Sequence, residues 1–215
     1  MDMAVVPSSA TGGRRVPGVR GTGGPPRRLS REDWITGALE AIAAGGLAAV
    51  AVEPVAARLG ATKGSFYWHF ANREELLTAA LLVWEQRGTA EVIDELEAIA
   101  DPALRLRALF ARAFGATVTG SVEAALLADA PSPLVAPVLE RVTQRRLEYL
   151  ERIYSALGQP APQARGRAVL AYTTYLGLFS LRRAAPTAVT EKGLSAALEQ
   201  FLASPPEAGG TPSEE

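Results

Sequence analysis

The chain has 215 residues, 48% of them apolar and 21% charged, with no cysteine, one histidine and a net charge of −1. That length fills one sizeable core or two modest ones; lack of cysteine excludes disulfides and thiolate metal sites, and one histidine excludes most imidazole clusters. No apolar run approaches the ~18 residues of a membrane span and the N-terminus has no apolar leader core, so a cytoplasmic protein without a membrane partner is expected.

The small net charge hides an uneven distribution. Residues 1–31 carry Arg14, Arg15, Arg20, Arg27, Arg28 and Arg31 against Asp2 alone, whereas residues 91–215 hold twelve bases against fifteen acids. Local positive charge of this kind is what a nucleic-acid partner requires.

Residues 1–28, rich in Gly, Pro, Ser and Arg and without hydrophobic periodicity, read as a disordered arm, either DNA-contacting or inert. Ser30 with Asp33 opens a first helix, whose Trp34, Ile35, Ala38, Leu39 and Ile42 recur at helical spacing until Gly45-Gly46. A second helix spans Val52 to Leu59 and tolerates Pro54 at its third position, where the missing N–H has no intrahelical acceptor. The stretch Gly60 to Leu77 is the most informative: Thr62 caps a short helix, and Asn72 with Glu75 caps a longer one. Two starts ten residues apart leave about two turns between them. Phe66 and Phe70 give the short helix one buried stripe, while Lys63, Gly64, Ser65, Trp68 and His69 form a compact polar and aromatic face suited to a DNA groove.

Beyond Leu77 no strand signal appears. The helix begun at Asn72 continues through Trp84 to about Ala100, and Asp101-Pro102 opens another over Ala103 to Thr119. Ser121 caps a short helix to Asp129, and Ser132-Pro133 opens one running past Tyr149 to Leu157, which Pro137 kinks or restarts. Gln163 to Ala184 follows, stopped by Pro186; Thr190 caps a last helix ending near Ser204, and residues 204–215 are a polar, disordered tail. The chain is therefore expected to be all-α, with about nine helices. Its segment Val169 to Leu181 is apolar or small almost all the way round and demands cover on more than one side, within a monomer core or against a second copy. No Gly-x-Ser-x-Gly, phosphate loop or carboxylate-rich metal constellation appears, so no catalytic residue, cofactor or metal is expected.

Residues 46–77, from Gly-Leu-Ala-Ala-Val through Val55-Ala56, Leu59-Gly60, Phe66-Tyr-Trp-His-Phe70 and Asn72-Arg-Glu-Glu-Leu76, resemble the helix-turn-helix signature of TetR-family transcriptional regulators. With the preceding helix the resemblance covers about 50 residues. A lone Tyr-x-His-Phe is weak; behind Leu-Gly at this distance and ahead of a capped Glu-Glu-Leu-Leu it is specific. The resemblance implies a three-helix DNA-binding domain over 29–77 and a ligand-binding and dimerisation domain over 78–203. It further implies a ligand-responsive regulator, a repressor, that grips a palindromic double-stranded operator as a homodimer until a small, largely apolar effector releases it. The alternatives are an activator or non-transcriptional DNA binder of this fold, and a helical ligand-binding dimer without DNA function.

Carried over by position, Thr62, Tyr67 and His69 would contact phosphates, Arg73 would clamp phosphate, and Lys63, Gly64, Ser65 and Trp68 would face base edges or sugars. Lys63 suits guanine O6 and N7, and Gly64 permits close backbone approach. Arg27 and Arg28 stand where an arm enters an adjacent minor groove. Two residues depart from the family pattern. Ala51 replaces a capping Thr, forfeiting ~1 kcal/mol. Glu53 stands where a basic or polar residue is common; it either accepts from a cytosine amine or holds its helix off phosphate, and the second is favoured because like charges repel. An effector pocket is implied between helices 4 and 8, with Phe110, Phe114, Thr117, Leu127, Tyr149, Tyr172 and Tyr175 as lining candidates, although residues of this kind are more often core than ligand contacts. A dimer face is implied on the penultimate helix, at Val169, Thr173, Leu176, Gly177 and Leu181.

Overall fold

The computed structural model describes residues 29–115 and 117–190, the side chains of residues 117–119 excepted. The arm with Arg27 and Arg28, the helix expected after Thr190, the tail 204–215 and the Thr117 side chain lie outside the described residues. Nine α-helical segments are described: α1 Arg31–Gly45, α2 Val52–Arg58, α3 Lys63–Phe66, α4 Arg73–Glu85, α5 Glu91–Glu97, α6 Pro102–Gly115, α7 Thr117–Ala128, α8 Ala136–Ala156 and α9 Ala161–Ala184. A 3₁₀ turn, Leu47–Ala49, follows α1, and a π turn, Gln86–Ala90, joins α4 and α5 into one continuous rod. No strand occurs among the described residues. None of their helices is long and apolar enough to cross a membrane.

Local chemistry sets the N-terminal boundaries. The Ser30 hydroxyl accepts from the Asp33 N–H at 3.2 Å while the Asp33 carboxylate accepts the Ser30 N–H at 2.7 Å, a closed capping box. Thr62 accepts from Ser65 at 3.3 Å and Asn72 from Glu75 at 2.9 Å. The Glu75 carboxylate reaches one residue further back than a capping box requires, to the Ala71 N–H at 2.8 Å. Ala51 begins α2 with no side-chain cap. Gly46, at φ 71°, turns the chain out of α1 in the left-handed region that glycine enters without strain.

Two boundaries differ from the sequence expectation. Ser121, expected to cap a helix, lies inside α7. A Cβ on Gly120 would stand 2.2 Å from Phe179 Cζ, so α7 and α9 close on each other at this glycine. At the other boundary Ser132-Pro133 opens only a turn, in which Val135 and Ala136 donate to the Ser132 carbonyl at 3.0 and 2.9 Å, and α8 begins at Ala136 with Pro137 in its first turn, the restart expected of that proline.

Two apolar clusters result. The first gathers Trp34, Ile42, Phe66, Phe70, Leu76 and Leu81, and it does not stop at Leu77: Val122, Ala125 and Leu126 from α7 and Val138, Leu139 and Val142 from α8 complete it. Trp34 packs edge-on to Phe66, and Phe66 stacks on Phe70. The second joins Phe110, Phe114, Tyr149, Ile153, Tyr172, Tyr175 and Phe179. Thus α7 shares one face with the helix-turn-helix core and the opposite one with the C-terminal core.

Gly120→Ala forces the buried Phe179 ring aside, so it should destabilise by about 1–3 kcal/mol. Thermal unfolding checks this, and adding Phe179→Leu should recover part of the loss.

Candidate nucleic-acid interface and ligand pocket

The turn between α2 and α3 is closed by Ala61 N–H donating to the Ala56 carbonyl at 2.8 Å, with Gly60 at φ 65°. Four residues make up α3, extended by Phe70 N–H to the Phe66 carbonyl at 3.1 Å. Phe66 and Phe70 are buried and fix this unit on α1. What they turn outward is unusual for a surface: Tyr67 is 56% and Trp68 80% exposed, beside exposed Thr62, Lys63 and Gly64. Ser65 and His69 are half-buried at its edge.

The charges of this face are already engaged. Lys63 Nζ donates to Glu53 Oε1 at 2.9 Å, joining the first turns of α2 and α3; this hydrogen bond, then the opposite charge, lowers the Glu53 pKa and raises that of Lys63. Arg31 lies 4.6 Å over the Phe70 ring and 3.8 Å from Glu75, and Arg58 is 4.0 Å from Glu40. Arg73, the expected phosphate clamp, donates from Nε to the Val50 carbonyl and from Nη2 to the Leu47 carbonyl, both at 2.5 Å. It ties the 3₁₀ turn to the start of α4. Residues 29–80 hold four cations, Arg31, Arg58, Lys63 and Arg73, against six acids, a net of −2.

In the C-terminal half, the π turn with α5, α6, α8 and α9 encloses a cleft with a cavity volume of about 170 Å³. Val92, Ile93, Leu109, Phe110, Tyr149 and Leu150 make its walls; Thr89, Arg146, Tyr172 and Tyr175 give it a polar floor. Of the candidates named from sequence, Phe110, Tyr149, Tyr172 and Tyr175 line this cleft, and Phe114 and Leu127 do not. Phe114 stands behind the wall, stacked on Phe110 and edge-on to Tyr175. Leu127 follows the buried Leu126 around α7 and faces solvent, 39% exposed.

Sequence reasoning missed what holds the floor. Glu123, on α7 and fully buried, accepts from the Tyr172 hydroxyl at 2.5 Å, the Tyr175 hydroxyl at 3.0 Å and Arg146 Nη1 at 2.5 Å. Arg146 also donates from Nε to Thr89 Oγ1 and from Nη2 to the Gly88 carbonyl, each at 2.9 Å. The π turn, a feature common at functional sites, is what presents Gly88 and Thr89 to it. Burial, then the Glu123 charge, pushes both tyrosine hydroxyls well above their ordinary value. Burial opposes the charge on Arg146, but the Glu123 carboxylate and the Tyr175 and Tyr172 hydroxyls together outweigh it and the net shift is upward. The available signal was a single acid, Glu123, inside the apolar run Val122 to Leu127.

Residues 35–80 match the family model described as bacterial regulatory proteins, tetR family. No curated protein matches the chain. Among solved structures, a transcriptional regulator from Rhodococcus sp. Rha1 superposes with a TM-score of 0.67 at 24% identity, covering 81% of this chain and 94% of its own. A TetR-family regulator from Agrobacterium tumefaciens gives 0.68 at 22%, covering 80% and 95%. SmeT in complex with triclosan gives 0.60 at 23%, covering 86% and 97%; SmeT is the repressor of the Stenotrophomonas maltophilia multidrug efflux pump SmeDEF. These likenesses show a common fold across both halves of the chain.

Arg73→Ala should lose ~1.5–3 kcal/mol by freeing two carbonyls from a charged donor, and should weaken binding to every DNA sequence alike through a loosened head. Melting curves and DNA titrations check this; Arg73→Lys should not rescue, because an ammonium lacks the planar fork. Arg146→Ala should cost ~3–5 kcal/mol by stranding Glu123, and Arg146→Met combined with Glu123→Gln should restore much of it.

Proposed function

We propose, from the match of residues 35–80 to the tetR-family model, that this chain is a ligand-responsive transcriptional repressor. In this reading it acts in the cytoplasm, binds a near-palindromic duplex operator as a homodimer, and lets go when a small, largely apolar compound fills the cleft. The observation that carries the reading is the outward pair Tyr67 and Trp68, beside Lys63 and Gly64, over a rigidly packed Phe66 and Phe70. Thr62, Tyr67 and His69 would meet phosphates; Lys63, Gly64, Ser65 and Trp68 would meet base edges or sugars. With the four cations of the head engaged, Arg27 and Arg28 and the rest of the arm would supply the counterion release that duplex binding draws on.

Dimerisation through α9 is supported by its uncovered face. Val169, Leu170 and Leu181 are roughly half exposed, in line with exposed Thr173, Thr174 and Ser180. These three hydroxyls donate to carbonyls four residues back, at 2.8, 2.8 and 3.0 Å, so the face offers methyl and methylene groups and few free donors. A Cβ on Gly177 would meet nothing within 4 Å, leaving room for a close partner. Half-buried Leu176 flanks this stripe. An aromatic effector is supported by the cleft walls and by SmeT, whose structure contains triclosan. Such a compound releases DNA only if it prefers the non-binding conformation, since equal affinity for both states shifts nothing.

The net acidity of the head favours one second reading, a helical ligand-binding dimer without DNA function. Selection from genomic fragments followed by footprinting separates the two: we expect a near-palindrome with half-sites about one helical turn apart or a small multiple. Single, unrepeated footprints would overturn the symmetric repressor, and absence of any salt-dependent DNA shift would favour the second reading.

A further inference from the structure

The Glu53–Lys63 pair lies on the exposed face, its side chains 72% and 56% exposed, and an ion pair so open to water contributes little to stability. A carboxylate there would also repel phosphate if it stood alone. Bonded to Lys63 it forms a neutral unit, and a neutral unit displaces no counterions, so what it brings to a duplex is directional hydrogen bonding. We infer that Glu53 and Lys63 together read one G·C base pair, guanine under Lys63 and cytosine under Glu53.

The match is geometric and chemical. In the major groove the guanine O6 acceptor and the cytosine N4 donor lie side by side, linked by a base-pairing hydrogen bond of about 2.9 Å. The Lys63 ammonium and Glu53 carboxylate are separated by 2.9 Å, with donor and acceptor in the complementary order. Lys63 spends one of its three N–H groups on Glu53 and keeps two, for O6 and N7. Glu53 Oε1 takes that bond, leaving Oε2 to accept the outward N4–H. The other three pairs fit worse. Reversing to C·G sets ammonium against amine and carboxylate against O6. Adenine under Lys63 opposes two donors. Thymine under Lys63 offers O4 but puts its methyl group where guanine has N7. Approach is open: a Cβ on Gly64 would meet only Thr62 Oγ1, at 3.8 Å.

This inference rests on the reading of the chain as a sequence-specific duplex binder, and the test separates the two. The full chain, wild type and as Glu53→Ala, Lys63→Ala and the double variant, is titrated with every single-base-pair variant of the selected operator at several salt concentrations. Both side chains are solvent-exposed, and circular dichroism confirms that the variants fold. Wild type should prefer one G·C pair in each half-site by about ten- to a hundredfold. Glu53→Ala and Lys63→Ala should each relax that same pair, and the double variant should lose no more than either. Glu53→Ala alone should also tighten binding to other sequences and steepen the salt dependence by about one ion per half-site, because Lys63 is released. Preference unchanged in Glu53→Ala, or relaxed at a different pair from Lys63→Ala, overturns the joint reading while the regulator stands. A wild type without any sequence preference overturns both.

Discussion

A carboxylate held away from water needs partners on every lone pair, and Glu123 sets the terms for the C-terminal half of this molecule. Its position on α7 draws two tyrosines from α9 and Arg146 from α8, and Arg146 in turn needs the Gly88 carbonyl and the Thr89 hydroxyl. The π turn supplies both. A regular α-helix through Gln86–Ala90 would rotate these groups by most of a residue relative to α8, so the wide turn and the buried ion pair belong to one arrangement. The cleft floor is that arrangement seen from inside the cavity, which is why an otherwise apolar pocket ends in hydroxyls and a guanidinium.

The same helix reaches the other half. Two turns beyond Glu123, Asp129 accepts the Leu47 N–H at 3.2 Å, and the Leu47 carbonyl is one of the two held by Arg73. The 3₁₀ turn is thus gripped by the residue that follows α7 on one side and by α4 on the other, directly before α2. Val122 and Leu126 lie in the helix-turn-helix core, so a shift of α7 at the cleft floor moves packed groups on both sides of Leu77. Close packing makes such an interface prefer discrete settings over gradual deformation. A compound bound against Arg146 in one setting and not the other would bias which setting the head adopts.

What the sequence made legible is what is decided within a few residues. Ser30, Thr62 and Asn72 cap because their oxygens meet N–H groups three residues on, and the i, i+4 spacing of Phe66 and Phe70 buries both on one face. The features that could not be read join distant segments. Ser121 is a good cap residue, yet it lies inside α7, next to the glycine that closes on Phe179. Arg73 has the charge for phosphate, yet two carbonyls more than twenty residues upstream take its donors. Phe110 and Phe114 share a face of α6, and only the placement of Tyr175 makes one a wall and the other its backing. Glu123 and Arg146 each look like surface charge until α7 and α8 are brought together.

The electrostatics of the head favour selectivity over grip. Non-specific affinity grows with the number of phosphates that free cations can neutralise, and here Arg31, Arg58, Lys63 and Arg73 all have partners within the fold. Such a surface gains little on arbitrary DNA and depends on base edges and shape for what it does gain. In the proposed DNA-binding role, general affinity would come from elsewhere in the chain, and Arg14, Arg15, Arg20, Arg27 and Arg28 precede α1 with only Asp2 to offset them. Separating the two terms in this way has a physical advantage. Charge in the arm can set how tightly the protein holds any duplex without changing which base pairs the head prefers, because phosphate contacts position a protein and base contacts specify its site.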